Sequence, residues 1–393
     1  MIAIQNARIL TPYRIVEGCL LMEDGRISGI VRDVPAGVEK VIDARGCYVS
    51  PGFIDLHTHG GGGHDYMDGT VEAFAGAGRT HLMHGTTALL PTTLTCSDDE
   101  LFHVFNVFET VLATLKDGPE FLGLHLEGPY FADSQRGAQD PRYLRKPSSE
   151  HFMRILDACP RIRRMTVAAE LPGALALGVE LKKRGILASM GHTDADYEDV
   201  LKAREFGYDF VTHLYSGMSS LRRLRARRHL GLVETAFLMD DLTVEIIADG
   251  KHLPPELLRL IVKNKAWDRI CLITDSMRGA GMPEGSRPRL GSLSDGQETV
   301  IADGVAYLPD RSAYAGSVCT ADRCIQTMIN QAGVPLLDAV RMMTVNPARA
   351  LGIDGRKGIL RPGMDADVCV FDQAIHIQHV FVHGELRYSA EEC

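Results

Sequence analysis

The chain has 393 residues, 45% hydrophobic and 24% charged, with a formal net charge of −9. That length suits one large domain, alone or with a smaller companion. The acidity argues against a polynucleotide partner for the molecule as a whole, although not against a small anionic substrate in a local basic pocket. Nine scattered cysteines without a C-x-x-C pair indicate neither a disulfide framework nor a thiolate zinc site. No apolar run is long enough to span a bilayer. Met1 to Gln5 lead straight into strand-like sequence without a basic and apolar leader, so a cytoplasmic protein with no membrane partner is expected.

In chain order, residues 1–50 read as all-β: short apolar stretches near Ile2, Ile9, Leu20 and Ile30, with Glu23-Asp24-Gly25-Arg26 as a hairpin turn. From Phe53 the texture changes to alternating strands and helices. Strands are expected at 53–57, 87–93, 121–127, 164–170, 186–192, 209–214, 242–248 and 269–275. Ser97-Asp98-Asp99-Glu100 is a capping-box start for a helix carrying Leu101, Val104, Phe105 and Phe108. Further helices are expected near 149–159, 173–184, 197–206, 232–238, 255–263, 321–331 and 336–343. Eight strands interleaved with helices indicate a closed (β/α)8 TIM-type barrel, although a doubly wound open sheet uses the same alternation. The tail after 355, with Ile359 to Gly363, Ala366 to Asp372 and Ile375 to Tyr388, is again β-rich. Neither end could bury a core alone. The expected organisation is a catalytic barrel at 51–354 and a discontinuous β-sandwich domain of 1–50 and 355–393.

The chemistry gathers at the strand ends. His57 and His59 are two residues apart at the end of the first strand, so both can point to one side. Glu127 ends the third expected strand, His192 the fifth, His213 the sixth and Asp275 the eighth. In a barrel these positions open onto the same C-terminal face. Four histidines and two carboxylates there make a nitrogen and oxygen site for zinc, iron or a similar divalent ion. Any one of them, His192 or the nearby His125 included, is on its own more often a hydrogen-bonded histidine. Their joint placement favours a metal. A divalent ion brings the pKa of a bound water towards about 7, for which a carboxylate such as Asp275 is a competent base; the bland alternative is an Asp275 helix cap. Such chemistry suits amide hydrolysis or removal of amino groups.

The same residues carry a resemblance. PGFIDLHTHG at 51–60, LHLEGPY at 124–130, MGHT at 190–193, THLYSGM at 212–218, ADGKH at 248–252, TDSMRGAGMPEG at 274–285, AGS at 315–317 and NPARAL at 346–351 occur in an order that resembles the amidohydrolase superfamily. The likeness is greater to the N-acetylglucosamine-6-phosphate deacetylases. The resemblance implies metal ligation by Glu127, His192 and His213, with His57 and His59 able to hold a second ion, so one or two ions, zinc foremost. It implies Asp275 as acid/base, His252 as a substrate-contacting histidine, and Ala315-Gly316 as a substrate-lining loop. Two departures bear on sugar recognition. Many deacetylases read K-G-A-H where this chain reads Arg136-Gly137-Ala138-Gln139, and N-A-M where it reads Ser216-Gly217-Met218.

The segment after the sixth strand is unusually basic: Arg222, Arg223, Arg225, Arg227 and Arg228. A solvated face is the usual reading of such a run, and interleaved aromatics for nucleic acid are missing. Guanidinium forks match phosphate oxygens, and the loop lies on the active-site face, so a phosphate clamp is favoured. In the resembled family the phosphate arginine comes from the neighbouring subunit. Arg228 aligns best, then Arg223, and a homodimer is implied. Gly60 to Gly63 form no phosphate cradle because no G-K-[ST] follows. The expected activity is hydrolysis of the N-acetyl group of N-acetylglucosamine 6-phosphate to glucosamine 6-phosphate and acetate. The alternatives are the galacto epimer or another acylated amino sugar, a cyclic amidase or a deaminase, and a non-catalytic binding protein on the same scaffold.

Overall fold

The computed structural model describes residues 1–390; Cys393 lies outside the described residues. Eight parallel strands occupy the centre: Phe53–Thr58, Thr86–Thr93, Leu124–Glu127, Ile162–Val167, Leu187–Met190, Tyr208–Val211, Thr243–Ile247 and Ile270–Ile273. They pair in that order. The ring is brought nearly to closure where the Asp275 amide donates to the His57 carbonyl at 2.9 Å and Thr58 bridges Ser276. The TIM-type barrel is therefore the architecture, not the open sheet.

The strands form because they can be buried on both sides: every residue of Phe53–Thr58 and Thr86–Thr93 is buried, as expected where helices cover the outside of a parallel barrel. The helix Asp98–Thr114 begins as its sequence predicts. Ser97 accepts from the Glu100 amide while Glu100 reaches back to the Ser97 amide. Helices Val71–Met83 and Val345–Ala350 are additional to those expected. The eighth strand is followed by an excursion with two small hairpins, Arg289–Leu290 with Gln297–Glu298 and Val300–Ala302 with Val305–Tyr307. Strands of two or three residues among Gly, Ser and Pro are too short to register as periodicity.

Five strands end earlier than expected, the fourth at Val167, the seventh at Ile247 and three that bear on the mouth. The fifth, sixth and eighth stop at Met190, Val211 and Ile273, short of His192, His213 and Asp275. The reason is local. These three residues have φ of 48°, 29° and 46°, a left-handed backbone that ends extended structure and turns each side chain over the barrel mouth.

Both chain ends join one sheet of eight strands: Ile2–Leu10, Ile15–Glu23, Arg26–Val31, Lys40–Asp43, Tyr48–Pro51, Val368–Phe371, Ile377–Val382 and Glu385–Ser389. Tyr48–Pro51 is the seam, parallel to the N-terminal strand and antiparallel to Val368–Phe371. Asp24 and Gly25 have φ of 49° and 75°, the paired left-handed residues of a tight hairpin turn. The sheet folds over its own core, with Ile4, Leu20, Val49, Val370 and Phe381 buried together. Residues 359–363 are a correction, since they form no strand. Pro362 has no amide to give a ladder. The segment turns instead, Met364 donating to the Arg361 carbonyl, and buries Leu360 in that core.

Candidate active site

The mouth of the barrel brings together six of the residues singled out from the sequence. Glu127 is at the centre. Its Oε1 lies 3.1 Å from His192 Nε2, 3.0 Å from His213 Nε2 and 3.4 Å from His57 Nε2; its Oε2 lies 3.3 Å from His59 Nε2. Asp275 Oδ1 stands 3.5 Å from His57 Nε2 and 3.2 Å from His59 Nε2. All six are buried. They fall into two groups whose ligand atoms could each surround one ion: His57, His59 and Asp275, and Glu127, His192 and His213.

The imidazoles are oriented from behind. Each Nδ1 faces an acceptor: Glu245 Oε1 at 2.9 Å for His57, the Thr92 carbonyl at 3.3 Å for His59, the Gln135 carbonyl at 2.8 Å for His192 and the Ser216 carbonyl at 3.1 Å for His213. A carbonyl or an ionised carboxylate only accepts, so Nδ1 carries a proton and the Nε2 of each ring points to the centre, where it either donates to the carboxylates or, with a cation there, would give that cation its lone pair. His57 Nε2 is fully buried without a hydrogen-bond partner. A buried ring nitrogen left without a partner among carboxylates fits a cation-binding role.

Charge agrees with geometry. Burial alone would lower the pKa of His57 and His59, yet Asp275 and Glu127 push both up, His59 to about 9. Burial alone would raise Glu127, and His57, His192 and His213 hold it far below the usual carboxylate range. Two buried carboxylates thus demand positive charge at one point, which protons on imidazoles or a cation among the Nε2 atoms supply.

Beneath this layer lies a buried pair that sequence reasoning missed. Glu245 accepts from His57 Nδ1 and from the His213 amide at 3.0 Å, and its other oxygen meets Arg164 at 2.5 Å. Arg164, fully buried inside the barrel, also donates to Ser189, Thr212 and the Leu56 carbonyl. Burial would raise Glu245, but Arg164 and His57 hold it down at about 2. The available signal is the mid-strand position of each charge, Glu245 between Val244 and Ile246 in Thr243–Ile247 and Arg164 between Arg163 and Met165 in Ile162–Val167. His125 is the plain buried histidine its bland reading describes, set between Thr166 Oγ1 at 2.7 Å and Thr92 Oγ1 at 3.2 Å.

Above the mouth is a cavity of about 330 Å³ lined by the mouth residues and by Gln139, Ser216, Gly217, His252, Tyr314 and Gly316. His252 is held by Asp249 at 2.7 Å and its ring lies 4.6 Å from that of Tyr314. Gly217, at φ 54°, lets the chain pass where a Cβ would come within 2.9 Å of His192 Nδ1; Gly316, at φ 70°, passes close to the Asp275 carbonyl. Ala315 is turned away, packed with Met277, Leu290 and Ala306. Arg223 and Arg228 face each other across an exposed hairpin, Arg222–Leu224 with Arg227–His229, and neither lines the cavity of its own chain.

A barrel with a histidine and carboxylate cluster at the C-terminal ends of its strands defines a class, the metal-dependent barrel hydrolases. Residues 48–387 match the amidohydrolase family; the chain belongs to that family, is a hydrolase, and carries candidate groups for the metal ions such enzymes use. It is 32% identical over 390 residues to the N-acetylglucosamine-6-phosphate deacetylase of Haemophilus influenzae, covering 98% of this chain and 99% of that one. The N-acetylgalactosamine-6-phosphate deacetylase of Escherichia coli O157:H7 is 31% identical over 368 residues, covering 93% and 94%. In structure the chain is similar to a mutant N-acetyl-D-glucosamine-6-phosphate deacetylase of Mycobacterium smegmatis solved with N-acetyl-D-glucosamine-6-phosphate. The TM-score is 0.88 at 31% identity, over 99% of both chains.

Proposed function

We propose that the chain hydrolyses the N-acetyl group of N-acetylglucosamine 6-phosphate to glucosamine 6-phosphate and acetate. The observation that carries this is the convergence of four Nε2 atoms on Glu127 and Asp275 under a cavity of about 330 Å³, in a chain similar over nearly its full length to deacetylases of this sugar. Glu127, His192 and His213 would hold one divalent cation, zinc foremost, and His57 and His59 a second. A cation there polarises the amide carbonyl and makes water a stronger acid.

The remaining chemistry belongs to the chain. Asp275, facing the centre through Oδ1, takes the proton of the attacking water and returns it to the amide nitrogen as the C–N bond breaks. Glu245 and the Thr92, Gln135 and Ser216 carbonyls keep the four rings fixed while charge moves. Ser216, Gly217, His252 and the 315–316 loop bound the sugar. The His252 ring, tied through Nδ1 to Asp249, presents Nε2 as its free nitrogen. The 6-phosphate meets Arg228, with Arg223 beside it, from the hairpin of a second subunit, which makes the working form a homodimer. The exposed Leu221 and Leu224 of that hairpin offer apolar surface for such a contact. A cytoplasmic location belongs to the same reading: eight free cysteines among the described residues suit a reducing compartment. No helix among them is long and apolar enough to cross a membrane.

The galacto epimer is the second reading, favoured by the relative named for it. Acetate release from N-acetylglucosamine 6-phosphate, its unphosphorylated form and its galacto epimer, with zinc supplied, tests the reading. Turnover of the phosphorylated gluco sugar is expected to dominate. Turnover of the epimer alone would transfer the activity to that sugar, and no acetate from any would reject deacetylation.

A further inference from the structure

Gln139 stands where the resembled deacetylases carry a histidine, yet its polar atoms are committed to the protein. Its Nε2 donates to Glu127 Oε2 at 2.7 Å, while its Oε1 accepts from the Thr95 amide at 2.9 Å and the Thr95 hydroxyl at 2.8 Å. The side chain is buried, at 5% exposure. Chemistry fixes the amide's orientation. A backbone N–H can only donate, so the oxygen of Gln139 must face Thr95, and a carboxylate can only accept, so the NH2 group must face Glu127. Thr95 is itself held, its hydroxyl accepting from the Asp140 amide at 3.2 Å. A chain of bonds therefore runs from the backbone beyond the second barrel strand, through one amide, to the carboxylate at the centre of the site.

We infer that Gln139 is a positioning residue for Glu127 rather than a contact for the sugar. This rests on the proposed cation-binding role of Glu127. With Oε2 anchored by Gln139, the carboxylate cannot swing about its terminal torsion, and Oε1 is kept between His192 and His213. Anchoring a ligating carboxylate through a neutral donor tunes affinity through orientation and adds no charge. The oxygen of Gln139 accepts twice and one of its two amide N–H groups is spent on Glu127, so a single N–H is left at this position and recognition of the sugar falls mainly to the opposite wall of the cavity.

The test uses the full chain with zinc as the probe, in competition with a chromophoric chelator, together with cobalt substitution and steady-state kinetics. Gln139→Leu keeps the bulk and removes the donor; its zinc affinity is expected to fall about 10- to 100-fold, with a changed visible spectrum of the cobalt form. At saturating zinc its KM for N-acetylglucosamine 6-phosphate stays within about twofold and the loss falls on kcat, the pattern of a lost orienting contact. Thr95→Val leaves every site side chain in place, withdraws one hydroxyl bond from Gln139 and takes the acceptor from the Asp140 amide; about a threefold weakening of zinc is expected, which distinguishes positioning from a folding defect in the leucine variant. A KM rise of tenfold or more with unchanged zinc affinity would overturn the assignment and make Gln139 a sugar contact. Zinc affinity and kinetics unchanged in both variants would also overturn it. A wild-type chain that binds no zinc would overturn the cation reading as well, and is told apart by the parent protein alone.

Discussion

The two ends of the third barrel strand each carry a cluster of carboxylates and histidine, and the clusters are matched in opposite ways. Before the strand, Glu120 joins Asp365, Asp367 and His383 of the end sheet. Lys357 stands 2.7 Å from Glu120, Arg356 2.6 Å from Asp365, and Arg26 also reaches Asp365. After the strand, Glu127 and Asp275 face imidazoles and, at Glu127, the neutral amide of Gln139, with no Lys or Arg paired to them among the described residues; the buried Arg164 beneath is spent on Glu245. Both clusters have the spacing of ligands around an ion. Only the second lacks permanent cations of its own. Ligand-like geometry therefore does not mark a metal site unless the chain leaves the carboxylates without Lys or Arg; the first cluster is an internal ion network joining barrel to sheet.

The largest effect that would break this contrast is on turnover. Asp275→Asn should lower kcat by about 10²- to 10⁴-fold, the usual worth of a positioned proton carrier, with zinc content measured on the same preparation unchanged. Loss of zinc together with activity would make Asp275 a holder of the ion and not a base. Next in size is the opposite cluster. Lys357 is 2% exposed among Glu120, Asp365 and Asp367, so Lys357→Met leaves buried carboxylates uncompensated and should cost about 3–5 kcal/mol of unfolding free energy, read by denaturant titration. Its zinc content should equal that of the parent; a fall would mean that this cluster, too, takes an ion.

A smaller effect is expected at the arginine hairpin. Arg228→Ala should raise KM for the phosphorylated sugar about tenfold, as for loss of one charge-assisted hydrogen bond, and leave KM for the unphosphorylated sugar as it was. Equal change on both would remove the hairpin from phosphate binding. The last effect is a pH dependence, at Glu245. Arg164 and His57 hold its folded pKa, against burial, at about 2, below the ordinary 4.5. A depressed carboxylate stabilises the fold fully above its unfolded value and loses that contribution as pH falls towards the folded one. Stability should therefore decline from about pH 4.5 towards about pH 2, and Glu245→Gln should show a shallower acid limb in thermal unfolding.

The sequence exposes the mouth because a parallel barrel sends every strand end to one rim, so polar residues at the ends of apolar runs identify themselves. It does so within two or three residues only. His192, His213 and Asp275 stand just past their strands, since a left-handed backbone at those positions ends the strand without altering the residue pattern. Arg164 and Glu245 stay hidden for a different reason. They sit within strands, facing inward, and a charge inside a strand reads as an interruption or as a solvent-facing residue until its partner from another strand is beside it. The hairpin Arg222–Leu224 with Arg227–His229 was legible as a basic stretch but not as strands, because its turn uses Arg225 and Ala226 at φ 45° and 69°, residues with no turn signature. Gln139 is legible as a departure from the resembled family, whereas its bond to Glu127 follows from loop geometry that no local pattern encodes.

The central claim is that the cluster after the third strand, and not the one before it, holds the catalytic cation. Its most direct test is elemental analysis of zinc-equilibrated protein for the parent chain and Glu127→Ala, with Glu120→Ala alongside. The account predicts that Glu127→Ala loses at least one metal equivalent per chain while Glu120→Ala matches the parent. Equal metal content in the parent and Glu127→Ala would contradict it.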